Sequence, residues 1–191
     1  MTQSKGRKLK RITGVVCVAI ALGTSTARGA GATGPVTVTR VTSPEKALRF
    51  EVTVPASVDD VWMAFTTKEG LATWLWRDIR LDLRAGGDWL ALLPGSTAGG
   101  TIVSFTPKHR LEIAAMAPET FPTVRAQRTL ATFEFEAVPP ASTRVTLVQS
   151  GWKPGREWDE AYDYLATGNA ELLTQLYQRF VSGPLNWPKA R

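Results

Sequence analysis

The sequence predicts an α+β domain with a seven-stranded antiparallel sheet, two short helices after the first strand and one long C-terminal helix against the sheet. Three observations carry this expectation. Leu48, Phe50, Val52 and Val54 alternate with Arg49, Glu51 and Thr53, the period of a half-buried strand. Between Ile79 and Ser150, further apolar alternations are separated at short spacing by Gly and Pro turn signals, as in an antiparallel sheet. Beyond Pro154-Gly155 the period turns helical, with Trp158, Tyr162, Leu165, Asn169, Leu172, Leu176 and Phe180 three or four residues apart. A sheet with one apolar face has to cover it, and this helix is the only predicted element large enough.

The elements follow in order. Pro55 ends the first strand, and Ser57-Val58-Asp59-Asp60 forms a capping box in front of a helix whose apolar face is Val58, Val61, Trp62 and Phe65. A second short helix carries Leu71, Trp74 and Leu75. Ile79, Leu81 and Leu83 alternate with charged residues, and Gly86-Gly87 turns that strand into Asp88 to Leu93 as a hairpin. A loop holding Pro94, Gly95, Gly99 and Gly100 leads to a strand over Thr101 to Phe105, Pro107 breaks it, and Arg110 to Met116 alternates again. Ala117 to Arg128 reads as a proline-containing loop. Thr129 to Val138 and Thr143 to Ser150 form the last strand pair, joined through Pro139-Pro140-Ala141-Ser142. Gly183-Pro184 stops the final helix. Inside that helix Gly168 costs about 1 kcal/mol against Ala, so it is expected to mark a kink or a close approach.

The N-terminus reads as an export signal. Lys5, Arg7, Lys8, Lys10 and Arg11 form a basic segment without acids, Ile12 to Gly23 is almost wholly apolar, and Ser25-Thr26-Ala27 and Ala30-Gly31-Ala32 both fit the small-x-small cleavage rule. The apolar run is about half the roughly 20 residues that a membrane-spanning helix needs, so no stable membrane anchor is expected after cleavage. Residues 1–32 are accordingly assigned to a signal peptide cut after Ala27 or Ala32, 33–46 to a flexible leader, 47–183 to the domain and 184–191 to a loose tail. The valine alternation in Pro35 to Val41 leaves an additional edge strand open. The mature protein is expected in the periplasm or outside the cell.

Cleavage alters the composition in two ways. Cys17, the only cysteine, lies in mid-run behind Val15 and Val16 rather than at a lipidation position, and its removal leaves no thiol for disulfides, catalysis or metal binding. The formal charge of +6 suggests an anionic partner. Without the five leading cations, however, 18 of the 23 Lys+Arg stand against 17 acids, and nucleic acid is set aside as a partner.

The residues also carry a family resemblance. Pro55, Val61-Trp62, Phe65-Thr66, Leu71 and Trp74 are followed by Arg84-Ala85-Gly86-Gly87, Gly100-Thr101-Ile102-Val103, Leu111 and Thr143-Arg144-Val145-Thr146-Leu147. In order and spacing these resemble the START-like or SRPBCC superfamily, and within it the branch of the heat-shock-protein-90 ATPase activator. The resemblance spans Leu48 to Val181 and implies a helix-grip fold, in which relatives often hold the long helix off the sheet and leave a cavity for an apolar ligand. One departure stands out. Where that branch commonly has Gly-Trp, this chain has Gly168-Asn169, so Asn169 either bonds inside the fold or offers a polar anchor to something bound.

Catalytic constellations are not found. A single histidine and no mature cysteine exclude zinc and haem ligation of the usual kinds, and no cofactor is expected. His109 lies in the basic turn Pro107-Lys108-His109-Arg110, no G-x-S-x-G elbow accompanies it, and Gly86-Gly87 and Gly99-Gly100 read as turns rather than phosphate loops. Glu134 and Glu136 alternate with Phe133 and Phe135 and so face water, Asp59 and Asp60 serve a helix cap, and Asp159, Glu160 and Asp163 complement a helix dipole. What remains is a bulky interior of Trp62, Trp74, Trp76, Trp89, Met116, Phe133, Phe135, Leu147 and Leu172. These residues either fill the core or, as the resemblance implies, line a cavity together with Tyr162 and Asn169. A carrier of a small apolar or amphipathic molecule is the first expectation. A cyclase-, dehydratase- or hydrolase-like enzyme using Asn169, Tyr162 or Tyr164 is the second. An ATPase-activating co-chaperone comes last, because export removes the chain from a cytoplasmic partner.

Overall fold

The computed structural model describes residues 35–187; the segment read as a signal peptide, with both expected cleavage sites, and the last four residues of the tail lie outside them. The chain forms β1 (Thr37–Val41), β2 (Ala47–Val54), α1 (Val58–Thr66), α2 (Lys68–Ala72), β3 (Ile79–Leu81), β4 (Asp88–Leu93), β5 (Ser96–Thr106) and β6 (Arg110–Ala115). It continues through α3 (Pro122–Gln127), β7 (Thr129–Val138), β8 (Ser142–Ser150) and α4 (Arg156–Ser182). The strands make one antiparallel sheet in the order β1-β2-β8-β7-β6-β5-β4-β3. The α+β class with a long C-terminal helix holds, but the sheet has eight strands instead of seven. The additional strand is β1, which pairs with β2 from Thr37 opposite Glu51 to Val41 opposite Ala47, inside the segment otherwise read as leader.

Period-two patterning places the apolar residues on one face. Leu111, Phe133, Leu147 and Phe50 stand side by side across β6, β7, β8 and β2, and Ile113, Ala131, Gln149 and Leu48 form the adjoining row. All eight are buried. Helix α1 packs on this face near β7 and β8, α2 lies beside β3, and α4 comes closest along β2 with β1 next to it. Cover is therefore shared among three helices rather than supplied by α4 alone.

Helix α1 starts at the expected cap: Ser57 Oγ accepts from the Asp60 N–H at 3.1 Å and donates to Asp60 Oδ2 at 2.6 Å. At its other end the last carbonyls lack intrahelical donors, and buried indoles supply them. Trp74 Nε1 donates to the Ala64 carbonyl and Trp89 Nε1 to the Phe65 carbonyl, both at 2.9 Å. Between them the Phe65 ring meets Trp74 at 4.9 Å and both Phe133 and Phe135 at 5.0 Å. One turn of helix thereby ties the chain after α2, β4 and β7 together.

Four local expectations are corrected. Gly99 and Gly100 do not form a turn; they lie inside β5, where a Cβ on either would sit 2.1 Å from the carbonyl oxygen of Trp89 or Ala114 respectively. The loop Ala117 to Arg128 contains α3, which has no capping side chain of its own. Glu157 of α4 supplies the cap instead, its Oε1 accepting from the Thr123 N–H at 2.6 Å and the Val124 N–H at 3.1 Å. Helix α4 runs through Gly168 without interruption, and a Cβ there would meet nothing nearer than Tyr164 Cε1 at 4.0 Å, so that glycine marks no close approach. The described part of the tail is not loose, because the Leu185 N–H donates to the Thr73 carbonyl at 2.9 Å and Trp187 Nε1 to the Ala72 carbonyl at 2.6 Å.

The bond from Thr123 holds the Glu157 carboxyl below the usual glutamate range, and the Val124 N–H adds to it. A carboxyl whose folded pKa is depressed stabilises the fold above its unfolded pKa and loses that contribution as pH falls through the folded value. Glu157→Gln is therefore expected to lower the melting temperature at pH 7, with the gap to wild type closing below about pH 4, the range where free glutamate titrates. Thermal melts across that range check this; a gap that stays constant into acid would contradict the cap.

Candidate functional site

Six of the ten cavity candidates come together. Trp74, Trp89, Phe133, Phe135, Leu147 and Tyr162 belong to one buried cluster, joined by Trp62. Leu172 is half-buried at its margin, and the leucines that point fully inward are Leu173 and Leu176. The reading of the α4 stripe was thus out by one position there, an error that periods of three and four readily produce. Met116 follows β6, half-buried, with its N–H on the Gly99 carbonyl at 2.8 Å. Trp76 is buried away from the cluster and packs its ring 5.1 Å from that of Trp187.

The tenth candidate, Asn169, answers the question its position raised. Its Nδ2 donates to Gln149 Oε1 at 2.6 Å, and Gln149 Nε2 donates on to Thr129 Oγ1 at 2.8 Å. Gln149 and Thr129 are both 3% exposed. Buried amides and hydroxyls need such partners, so the three side chains form a self-satisfied polar bridge between α4 and the apolar face of the sheet. Gln149 and Thr129 were not singled out from the sequence. The alternation Val145, Leu147, Gln149 was the available signal, since it turns Gln149 inward with its apolar neighbours.

Tyr162 has a structural assignment as well. Its hydroxyl donates to the Ala47 carbonyl at 3.0 Å, and Arg40 and Lys46 stand over its ring at 5.1 and 4.4 Å. Those cations also pair with Asp163 and Asp159 at 2.6 Å, which staples the β1–β2 edge to α4. These two acids, placed at a helix dipole by sequence, thus serve the edge strand. His109 is exposed in the β5–β6 turn, and Glu134 and Glu136 are exposed on β7. Glu112 lies on the opposite face from Leu111 and Ile113, its carboxyl held below the usual range first by the Ser104 hydroxyl and also by Arg110.

The bridge therefore contains no ionisable group. Among the described residues no three His, Cys, Asp or Glu side chains are placed to hold a metal ion, and no helix is long and apolar enough to cross a membrane.

Breaking the bridge on one side leaves a buried amide without its partner, at a cost of about 1–3 kcal/mol. Asn169→Leu should lower stability by that amount, whereas the triple variant Thr129→Val, Gln149→Leu, Asn169→Leu, which removes every polar partner, should be more stable than the single one. Urea denaturation measures both. A triple variant weaker than Asn169→Leu would contradict the bridge as described.

Comparison with known proteins agrees with this architecture. The family model described as "Activator of Hsp90 ATPase homolog 1-like protein" matches residues 55–180. Comparison with curated proteins finds no match. Among solved structures, the Aha1 dimer from Colwellia psychrerythraea is similar at 20% identity and a TM-score of 0.60, covering 72% of this chain and 97% of that one. A protein of Mesorhizobium loti is similar at 18% identity and a TM-score of 0.61, covering 73% and 99%. CalU16 from Micromonospora echinospora is similar at 20% identity and a TM-score of 0.57, covering 81% and 88%. At these identities the likeness is one of fold, the helix-grip arrangement of the SRPBCC type. The match over residues 55–180 settles the family: this chain belongs to the Activator of Hsp90 ATPase homolog 1-like proteins.

Proposed function

We propose that the chain is an exported carrier that holds a small apolar or amphipathic molecule between the sheet and α4. The observation that carries this reading is the uneven cover of the sheet. Helix α4 approaches β2 and β1, α1 approaches β7 and β8, and among the described residues no helix backbone comes comparably close to β4, β5 or β6, which α1 meets through the Trp89 and Phe105 side chains.

On that half of the inner face the register places a patch of small residues beside the bulky, buried Trp89, Ile102, Leu111 and Ile113. Trp89 stands opposite Gly100, Gly100 opposite Ala115, and Ala91 opposite Ala98. The β2–β8–β7 half instead carries Phe50, Leu147, Phe133 and Phe135. A sheet face with small side chains and no helix backbone close above it suits an apolar guest. The enzyme reading gains nothing from the uncharged Asn169–Gln149–Thr129 bridge. The co-chaperone reading gains the family name, but the export signal expected from the sequence separates the chain from a cytoplasmic ATPase.

Nile red, a neutral lipophilic dye, tests the reading. The full chain should bind it at one class of site and release it to dodecanol. Ala98→Phe, which fills the small-residue patch, should reduce dye affinity about tenfold, the equivalent of 1.4 kcal/mol, while leaving the circular dichroism spectrum unchanged. Absence of dye binding, or undiminished binding in a folded Ala98→Phe protein, would overturn it.

A further inference from the structure

Arg128 is a costly residue at its position. Its N–H closes α3 on the Val124 carbonyl at 2.8 Å, and the chain then enters β7 with Arg128 at φ 65° and ψ 155°. That region of backbone space is close to exclusive to glycine, because a Cβ crowds the flanking carbonyls. Glycine serves at six of the eight described positions of positive φ. A glycine at 128 would give the same backbone without the strain, so the arginine side chain is what distinguishes this position.

That side chain has no visible role in holding the fold. Its Nη1 is sealed from solvent and has no hydrogen-bond partner among the described residues. A charged N–H in that state is among the less favourable arrangements in a folded protein. Burial, followed by the charge of Arg125, pushes the guanidinium pKa down, and no carboxylate offsets them. Arg125 is itself engaged: it donates to the Ala117 carbonyl at 2.7 Å, to the Thr97 carbonyl at 3.2 Å and to Thr97 Oγ1 at 3.1 Å, with Glu119 4.0 Å away. The half-exposed Glu119 thus lies against Arg125, and no acid among the described residues pairs with Arg128.

The location connects these facts to the carrier reading. Arg128 immediately precedes Thr129, the terminal member of the Asn169–Gln149–Thr129 bridge. Thr129 stands in register with Ala115, which stands opposite Gly100, which stands opposite Trp89. The backbone of Arg128 therefore enters β7 at the end of the small-residue row that the α4 backbone does not approach closely.

We propose that Arg128 is the headgroup site of the carried molecule, which is an apolar chain ending in a carboxylate. The tail lies over the β4–β6 half of the sheet, and the carboxylate pairs with the guanidinium, whose planar fork matches two carboxylate oxygens. Arg125 adds positive potential without being consumed. This inference rests on the carrier reading and narrows it to one ligand class.

Isothermal titration of the full chain with dodecanoate, dodecanol and acetate, each below any micelle concentration, separates the two claims. Wild type is expected to bind dodecanoate at least about tenfold more tightly than dodecanol, the lower end of what a charge-assisted hydrogen bond contributes, and to bind acetate far more weakly. Arg128→Met, which keeps an apolar stem, should abolish the preference. Arg128→Gly should also lose the preference while raising the melting temperature by a few degrees through relief of backbone strain. Equal affinities for dodecanoate and dodecanol in wild type, or a preference that survives Arg128→Met, would overturn the headgroup site and leave the carrier reading standing. Acetate binding as tight as dodecanoate would also overturn it, since the tail would then contribute nothing. Binding of neither twelve-carbon compound would remove the carrier reading and this one with it. A lower melting temperature in both Arg128 variants would overturn it from the other side, by showing that the arginine serves the fold.

Discussion

Phe65 sits where the helical layer and the sheet meet, and most of the architecture depends on that contact. Its ring touches Trp74, Phe133 and Phe135, and its carbonyl receives the Trp89 indole N–H. The first contact fixes the chain after α2, the next two fix α1 on β7, and the last brings β4 to the same helix turn. The indole bond uses a carbonyl that the end of α1 would otherwise leave unsatisfied, so packing and hydrogen bonding agree on one geometry. Trp62, one turn earlier, extends the contact to Phe105 and Phe135. Large aromatic side chains bury much area with few torsions to freeze, which makes them suitable for a junction on which four elements converge.

This concentration of bulk near α1 has a consequence for the rest of the inner face. Because α1 and α2 cover the middle and the β3 edge, α4 settles against β2 and β1, stapled there through Arg40 and Lys46. The inner face of β4–β6 then mixes a small-residue patch at Ala91, Ala98, Gly100 and Ala115 with the bulky Trp89, Ile102, Leu111 and Ile113. The Asn169–Gln149–Thr129 bridge marks the boundary between the two regions. Where the related branch commonly places a tryptophan in α4, Asn169 trades bulk for a hydrogen bond to the sheet. The helix is thus held to its sheet both by this polar bridge and by buried Tyr162, Ala166, Leu173 and Leu176.

The sequence was most legible where one periodicity or one local signal decides the outcome. The alternation from Leu48 to Val54, the Ser57 cap and the stop at Gly183 all follow from interactions within a few residues. Misreadings arose where the determining partner is distant in sequence. Helix α3 depends on Glu157, which lies beyond two further strands, so its own residues look like a loop. Gly99 and Gly100 looked like a turn, since close approach of the Trp89 and Ala114 carbonyls cannot be read from glycine itself. The tail looked loose because Leu185 and Trp187 bond to Thr73 and Ala72, more than a hundred residues earlier. Of the cavity candidates, the core aromatics were legible from composition and alternation. Arg128 was not, because a left-handed arginine leaves no pattern in the sequence.

The central claim is that this family member leaves the cytoplasm and carries a guest. Native mass spectrometry of the protein recovered from cells expressing the full chain, with the signal intact, addresses both parts at once. The expected spectrum shows a polypeptide shortened by 27 or 32 residues, accompanied by a heavier species that loses a small lipophilic molecule on collisional activation. A polypeptide of full length and without any bound mass would contradict the account.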